Sequence, residues 1–113
     1  MTPLPLRGDV IIVDLGEPVG QEAGLSRPSV VVSHDRLAQV GLITVLPVTR
    51  TRLGWPSHVE IEAADSGLRE TSYVQTEQIR TISTERVVQV VSRLPVMALN
   101  TVDGLLRTNL ALN

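Results

Sequence analysis

The 113-residue sequence predicts a small α+β domain, mainly β with one C-terminal helix, folded as a twisted antiparallel barrel of five to seven short strands. Three observations lead there. Apolar residues make up 42% of the chain but aromatic ones only 2%, so Val, Leu and Ile must fill the interior, and those types favour pleated sheet. The apolar residues come in short runs bounded by Gly, Pro, Asp or Ser, the pattern of strands joined by turns. Only beyond Pro95 does a helical period appear. The length fits one domain spanning 1–113.

The elements follow in order. Residues 9–15, DVIIVDL, are β-branched and bounded by Gly8 and Gly16, which predicts the first strand. A polar loop over 16–26 comes next, and Pro28 opens a second strand or sits on an edge within PSVVVSH. Asp35 is expected to cap a helical turn reaching Val40. Residues 42–49, LITVLPVT, make a third strand, where Pro47 implies an edge or a bulge. After the exposed turn RTRLGWP, residues 57–62 alternate, with His58, Glu60 and Glu62 on one wet face. Asp65-Ser66-Gly67 is a turn. SYVQTEQIRTI, from Ser72, reads as one strand, too polar for a core element and therefore a candidate working surface. Ser83 or Thr84 starts a single helical turn, and residues 89–94 return as the last strand. Val96, Leu99, Val102, Leu106 and Leu110 then recur at helical spacing as one apolar stripe, interrupted by Gly104.

Composition narrows the chemistry. With no cysteine, disulfides, thiolate nucleophiles and thiolate metal sites are all excluded. The two histidines, His34 and His58, do not make a zinc site, and no metal or other cofactor is expected. Both lie at strand ends, read as satisfied surface residues, and are left out of the catalytic set. The first residues lack the apolar core of a secretory signal and no run approaches the ~20 residues that span a bilayer, so a soluble, cytoplasmic protein is expected, with no membrane partner. All ten basic residues are arginines. Codon bias accounts for that, or else a use of guanidinium forks on phosphate. The net charge of −2 argues against nucleic-acid binding by overall charge but leaves room for a local basic groove.

Arg27, at a strand entrance and followed by Pro28, is placed to hold two phosphate oxygens at once, the alternative being a surface ion pair with Glu22 or Glu77. Arg50 and Arg52, in TRTR, either track a phosphate backbone or belong to a solvated loop. Trp55 and Tyr73 are the only aromatic residues available for stacking on bases, the alternative for Trp55, beside Pro56, being to plug a gap at the barrel's mouth.

The segments RGDVIIVDL, GQEAGLSRPSVVVS, VLPVTR, HVEI and TEQIRTI, in this order, resemble the MazF/PemK family of toxin endoribonucleases, or mRNA interferases, from Arg7 to about Leu112. Arg27-Pro28 before the Val run and the run from Glu77 to Ile82 carry most of that resemblance. It implies an SH3-like barrel, a homodimer, and metal-free cleavage of single-stranded RNA that leaves a 2',3'-cyclic phosphate and a 5'-hydroxyl. It also implies an antitoxin partner whose acidic, disordered tail shares the RNA groove. By resemblance the catalytic residues are Arg27 and Thr49, with Glu22 and Glu77 in support; Gln21, Ser26, Arg50, Arg52, Gln75 and Gln78 are the RNA-binding set. Arginine is an awkward general base because it holds its proton so tightly, so its first task is charge stabilisation; the proton is taken either by Arg27 or by Glu22, which otherwise orients Arg27. Some members carry a loop histidine and an arginine where this chain has Gln21 and Gln75, which disfavours a mechanism through a loop imidazole. Others begin the last helix with Ser-Pro-Glu, whereas Leu94-Pro95-Val96 lacks that cap, at a cost of about 1 kcal/mol. Two rival readings remain: a toxin of the same fold that poisons DNA gyrase by binding, and an inactive member that only binds RNA or antitoxin.

Overall fold

A computed structural model describes residues 4–17, 19–21 and 26–113. Seven antiparallel strands are present: β1 (Asp9–Asp14), β2 (Ser26–Val31), β3 (Leu42–Thr49), β4 (His58–Ile61), β5 (Ser72–Gln75), β6 (Arg80–Ser83) and β7 (Val87–Arg93). They run in the order β4-β5-β3-β2-β1-β7, with β6 also on β3. Helices α1 (Asp35–Gln39), α2 (Ala63–Ser66) and α3 (Val96–Asn109) complete the fold, which is the mainly β arrangement with a C-terminal helix that the sequence predicts.

The aliphatic runs are continuous because β1, β2 and β3 are buried on both faces. Val10 pairs with Val30 and Val30 with Leu46, and this row belongs to a core with Val48, Val59, Val74 and Val102 of α3. The alternate row, with Ile11, Val13, Val31 and Val45, packs with Ile43, Ala38 of α1 and Ile82 of β6. Neither core contains an aromatic ring. Register shifts between β1 and β7, at Val10/Ile11 and Ile12/Val13, are the irregularities that sharpen the twist of a sheet and let it curl.

Several expectations change in the structure. β2 starts at Ser26, ahead of Pro28; its ladder with β3 begins only at Ser29, so Pro28 has a strand partner, Ile12, on one side alone. Pro47 sits at neither an edge nor a bulge. It is buried in the middle of β3, opposite Ser29, at a gap on the other side: β6 pairs with Leu42 to Val45, β5 with Val48 and Thr49. The predicted single strand from Ser72 is broken by a 3₁₀ turn, Thr76–Gln78, which separates β5 from β6. Thr76 is the cause. Its hydroxyl donates to the Ser57 carbonyl at 2.6 Å and accepts from Asn109 Nδ2 at 2.8 Å, contacts that a continuing strand would lose.

α1 is capped by His34, whose Nδ1 accepts from Arg36 N at 3.1 Å; Asp35 instead accepts from the Arg7 backbone at 2.8 Å. β7 begins at Val87, two residues earlier than expected. The apolar stripe is narrower than the spacing implies: Val102 of α3 is fully buried, but Val96 at its start and Leu110 just beyond its end are exposed. Pro95 precedes the helix without a side-chain cap, as the sequence indicates. Arg7 ties the N-terminal segment to α3 through Asp103.

Candidate active-site groove

The site lies where β2 and β3 separate. Their paired register runs Val31↔Val45, Val30↔Leu46, Ser29↔Pro47 and stops there. Beyond that point the strands are no longer paired, and Arg27, two residues before Ser29, and Thr49, two residues after Pro47, lie at their diverging ends. Both line a groove of about 460 Å³ together with Ser26, Arg50, Arg69 and Glu70. Three guanidiniums therefore meet one carboxylate in a chain whose net charge is −2. The Arg50–Glu70 pair spans 3.8 Å between exposed side chains, a contact of little strength that a phosphate can displace.

Thr49 is oriented locally. Its Oγ1 accepts from the Thr51 backbone N–H at 3.1 Å, which leaves the hydroxyl proton to donate into the groove. The loop between β1 and β2 is held at its base by two arginines: Arg80 donates to Leu15 O at 3.3 Å and Arg86 to Asp14 O at 3.2 Å. Gln78 Nε2 donates to the Gln21 carbonyl at 2.8 Å, joining this loop to the 3₁₀ turn. Glu22 lies outside the described residues.

Ser26, Arg27, Thr49 and Arg50 thus come together as the sequence predicts. Others do not join them. Glu77 points its carboxylate at the start of β4, accepting from Ser57 Oγ at 2.8 Å and from His58 Nε2 at 3.0 Å. Burial alone would raise its pKa, but the hydrogen bonds from His58, Ser57 and its own backbone outweigh that and hold it below the ordinary value. Gln75 is buried, with its side-chain oxygen enclosed, so it has no open surface to offer RNA. Arg52 lies in a neighbouring groove with Trp55, His58, Glu60 and Tyr73.

Two residues escaped the sequence reading. His58 is no surface histidine: its side chain is 3% exposed and its ring lies 5.1 Å from that of Trp55. The polar alternation HVE places it on a wet face, and only the tertiary partner Glu77 explains its burial. Arg69, in the loop before β5, reaches the groove from a segment with no motif of its own.

The structure is a small, mostly β domain with an arginine-lined cleft at the splayed end of its central strands. The chain belongs to the PemK-like, MazF-like toxin family of type II toxin–antitoxin systems, whose family model matches residues 6–110. Among its relatives, endoribonuclease MazF9 of Mycobacterium tuberculosis is 38% identical over 113 residues, covering 94% of this chain and 96% of that protein. MazF from Deinococcus radiodurans superposes with a TM-score of 0.86 at 26% identity, over 97% of this chain and 99% of that one. A MazE–MazF complex from the same organism matches at a TM-score of 0.80 and 26% identity, over 98% and 99% of the chains.

Proposed function

We propose that this protein is the toxin of a toxin–antitoxin pair and cuts single-stranded RNA without a metal ion, with Arg27 and Thr49 holding the scissile phosphate. The observation that carries the reading is that those two side chains line one groove. The 2'-hydroxyl attacks phosphorus, and charge accumulates on the two non-bridging oxygens. Arg27 meets that charge with a planar pair of N–H donors, and Thr49 with its free hydroxyl proton. Glu22, five residues before Arg27, is the candidate acceptor of the 2'-hydroxyl proton. The P–O5' bond breaks as O5' takes a proton from water in the open groove, leaving a 2',3'-cyclic phosphate and a 5'-hydroxyl. Glu77 supports the site at a distance by fixing the 3₁₀ turn that grips the β1–β2 loop through Gln78.

The name of the mycobacterial relative supports an endoribonuclease, and the MazE–MazF complex supports an antitoxin partner, whose acidic tail would occupy the same arginine-lined groove. A homodimer in the cytoplasm is the corresponding assembly and location; no described helix is long and apolar enough to cross a membrane. Incubation of the purified protein with a long RNA in EDTA, followed by end mapping, tests the proposal. Cyclic-phosphate ends are expected, with cleavage falling about 10²-fold or more in Arg27→Ala or Thr49→Ala. Undiminished cleavage by the double variant would sink the assignment, and inhibition of gyrase supercoiling without RNA cleavage would replace it.

A further inference from the structure

The chain has one tryptophan and one tyrosine, and both open onto one groove. This second groove, of about 310 Å³, is lined by Arg52, Gly54, Trp55, His58, Glu60 and Tyr73. Trp55 is 41% exposed, which burial in the core does not explain. Its ring is propped at 42° against His58, a residue itself held by Glu77. A solvent-facing indole on a fixed support is a preorganised stacking surface.

The register of the sheet fixes where this surface lies. Thr49 pairs with Tyr73, and Tyr73 pairs with Glu60. Thr49, Tyr73 and Glu60 therefore form one row across β3, β5 and β4, on one face, at the spacing of neighbouring strands of about 4.8 Å, and Arg27 lines the first groove with Thr49. Arg50 and Thr51 line the first groove and Arg52 the second, so the connection between the two is continuous. The aromatic groove therefore begins one strand away from the phosphate-binding residues.

Its polar groups set the chemistry. Glu60 places a carboxylate where a phosphate would be repelled, which leaves the pocket to an uncharged group. Burial, the Glu60 charge and a hydrogen bond to the Glu60 carboxylate raise the pKa of the Tyr73 phenol. Arg52 lines the same groove, on the side that continues from Arg50 and Thr51. We infer that this groove is a nucleobase subsite for a nucleotide beside the scissile phosphate, in which Trp55 stacks on the base and Glu60 accepts hydrogen bonds from an exocyclic amino group. Adenine, cytosine and guanine offer such a group and uracil does not, so the subsite discriminates against uracil. The inference rests on the ribonuclease reading and assigns to it the determinant of one position in the recognised sequence.

Because Trp55 is the only indole, its emission reports on the pocket alone. The full-length protein is titrated with single-stranded RNA carrying 2'-O-methyl riboses, which removes the nucleophile, while anisotropy of an end-labelled strand reads binding independently. Emission should be quenched with the same midpoint as the anisotropy change. Trp55→Leu should weaken binding roughly 5- to 150-fold, the equivalent of the ~1–3 kcal/mol per stacked base. Glu60→Val, a change on an exposed strand position, should lose the bias against uracil at one position of the mapped sites. RNA that binds with Trp55 emission and Trp55→Leu affinity unchanged would overturn the subsite and leave the ribonuclease standing. A retained uracil bias in Glu60→Val would remove the role of Glu60. No binding and no cleavage by the wild type would overturn both proposals, and quenching by an acidic peptide but not by RNA would give the pocket to a protein partner instead.

Discussion

Replacing Glu77 by Gln keeps the shape of the 3₁₀ turn and removes one negative charge. In the wild type both carboxylate oxygens are engaged, Oε1 by Ser57 at 2.8 Å and Oε2 by His58 at 3.0 Å. Hydrogen bonds to a charged group contribute about 1.5–3 kcal/mol and neutral ones about 0.5–1.5, so each contact would lose about 1 kcal/mol if fully enclosed. The Glu77 side chain is 25% exposed and solvent screens part of that, which leaves a net loss of about 1 kcal/mol for the pair. For a domain of this size that corresponds to a melting temperature lower by about 4 °C. The sign of the pH dependence follows from the depressed pKa. A carboxylate whose folded pKa lies below its unfolded value of 4.5 contributes stability that is present above 4.5 and disappears as pH falls through the folded value. Urea unfolding of both proteins at pH 7 and in a series down to pH 3 checks this, with the gap expected to close at the acid end. A gap that is constant across the series, or that widens in acid, would refute the account of Glu77 as a charge held by His58 and Ser57.

Three further outcomes are expected. Gly104→Ala should stabilise the protein by up to about 1 kcal/mol, because a Cβ there meets nothing within 4 Å and alanine is the better helix former; thermal unfolding reads it. Val102→Ala should cost about 2 kcal/mol in urea unfolding, since Val102 is 0% exposed and joins α3 to the sheet core. Arg69→Ala should raise KM for RNA several-fold with kcat nearly unchanged, and lower the slope of log affinity against log salt by about 0.7, the signature of one lost phosphate contact on a single strand.

What the sequence disclosed was what local chemistry decides. β3 runs from Leu42 to Thr49 as the flanking turn residues dictate, and α3 begins directly after Pro95, because proline fits the start of a helix and disrupts its interior. Family resemblance singles out Arg27 and Thr49, and the structure brings both to the lining of one groove. The features that stayed hidden depend on partners distant in sequence. Nothing local in SYVQTEQIRTI signals a break at Thr76; the hydroxyl needs Ser57 and Asn109 to favour a turn over a strand. His58 reads as exposed until Glu77 is folded over it, and Arg69 acquires a role only because the loop after α2 returns to the mouth of β3.

Pro47 has a consequence for how the molecule divides its tasks. It sits at the seam where β3 passes from one set of partners to another, β6 on its N-terminal half and β5 on its C-terminal half. A proline has no amide to offer a neighbour, so it costs little where the ladder is already interrupted. On one side of the seam lies the frame of β1, β2, β6 and β7; on the other lies the small sheet of β4 and β5 that carries Tyr73 and Glu60. Substitutions that reshape the second need not propagate into the first. The outward row of β4 and β5 that would read a base can change while their inward Val59 and Val74 stay in the core.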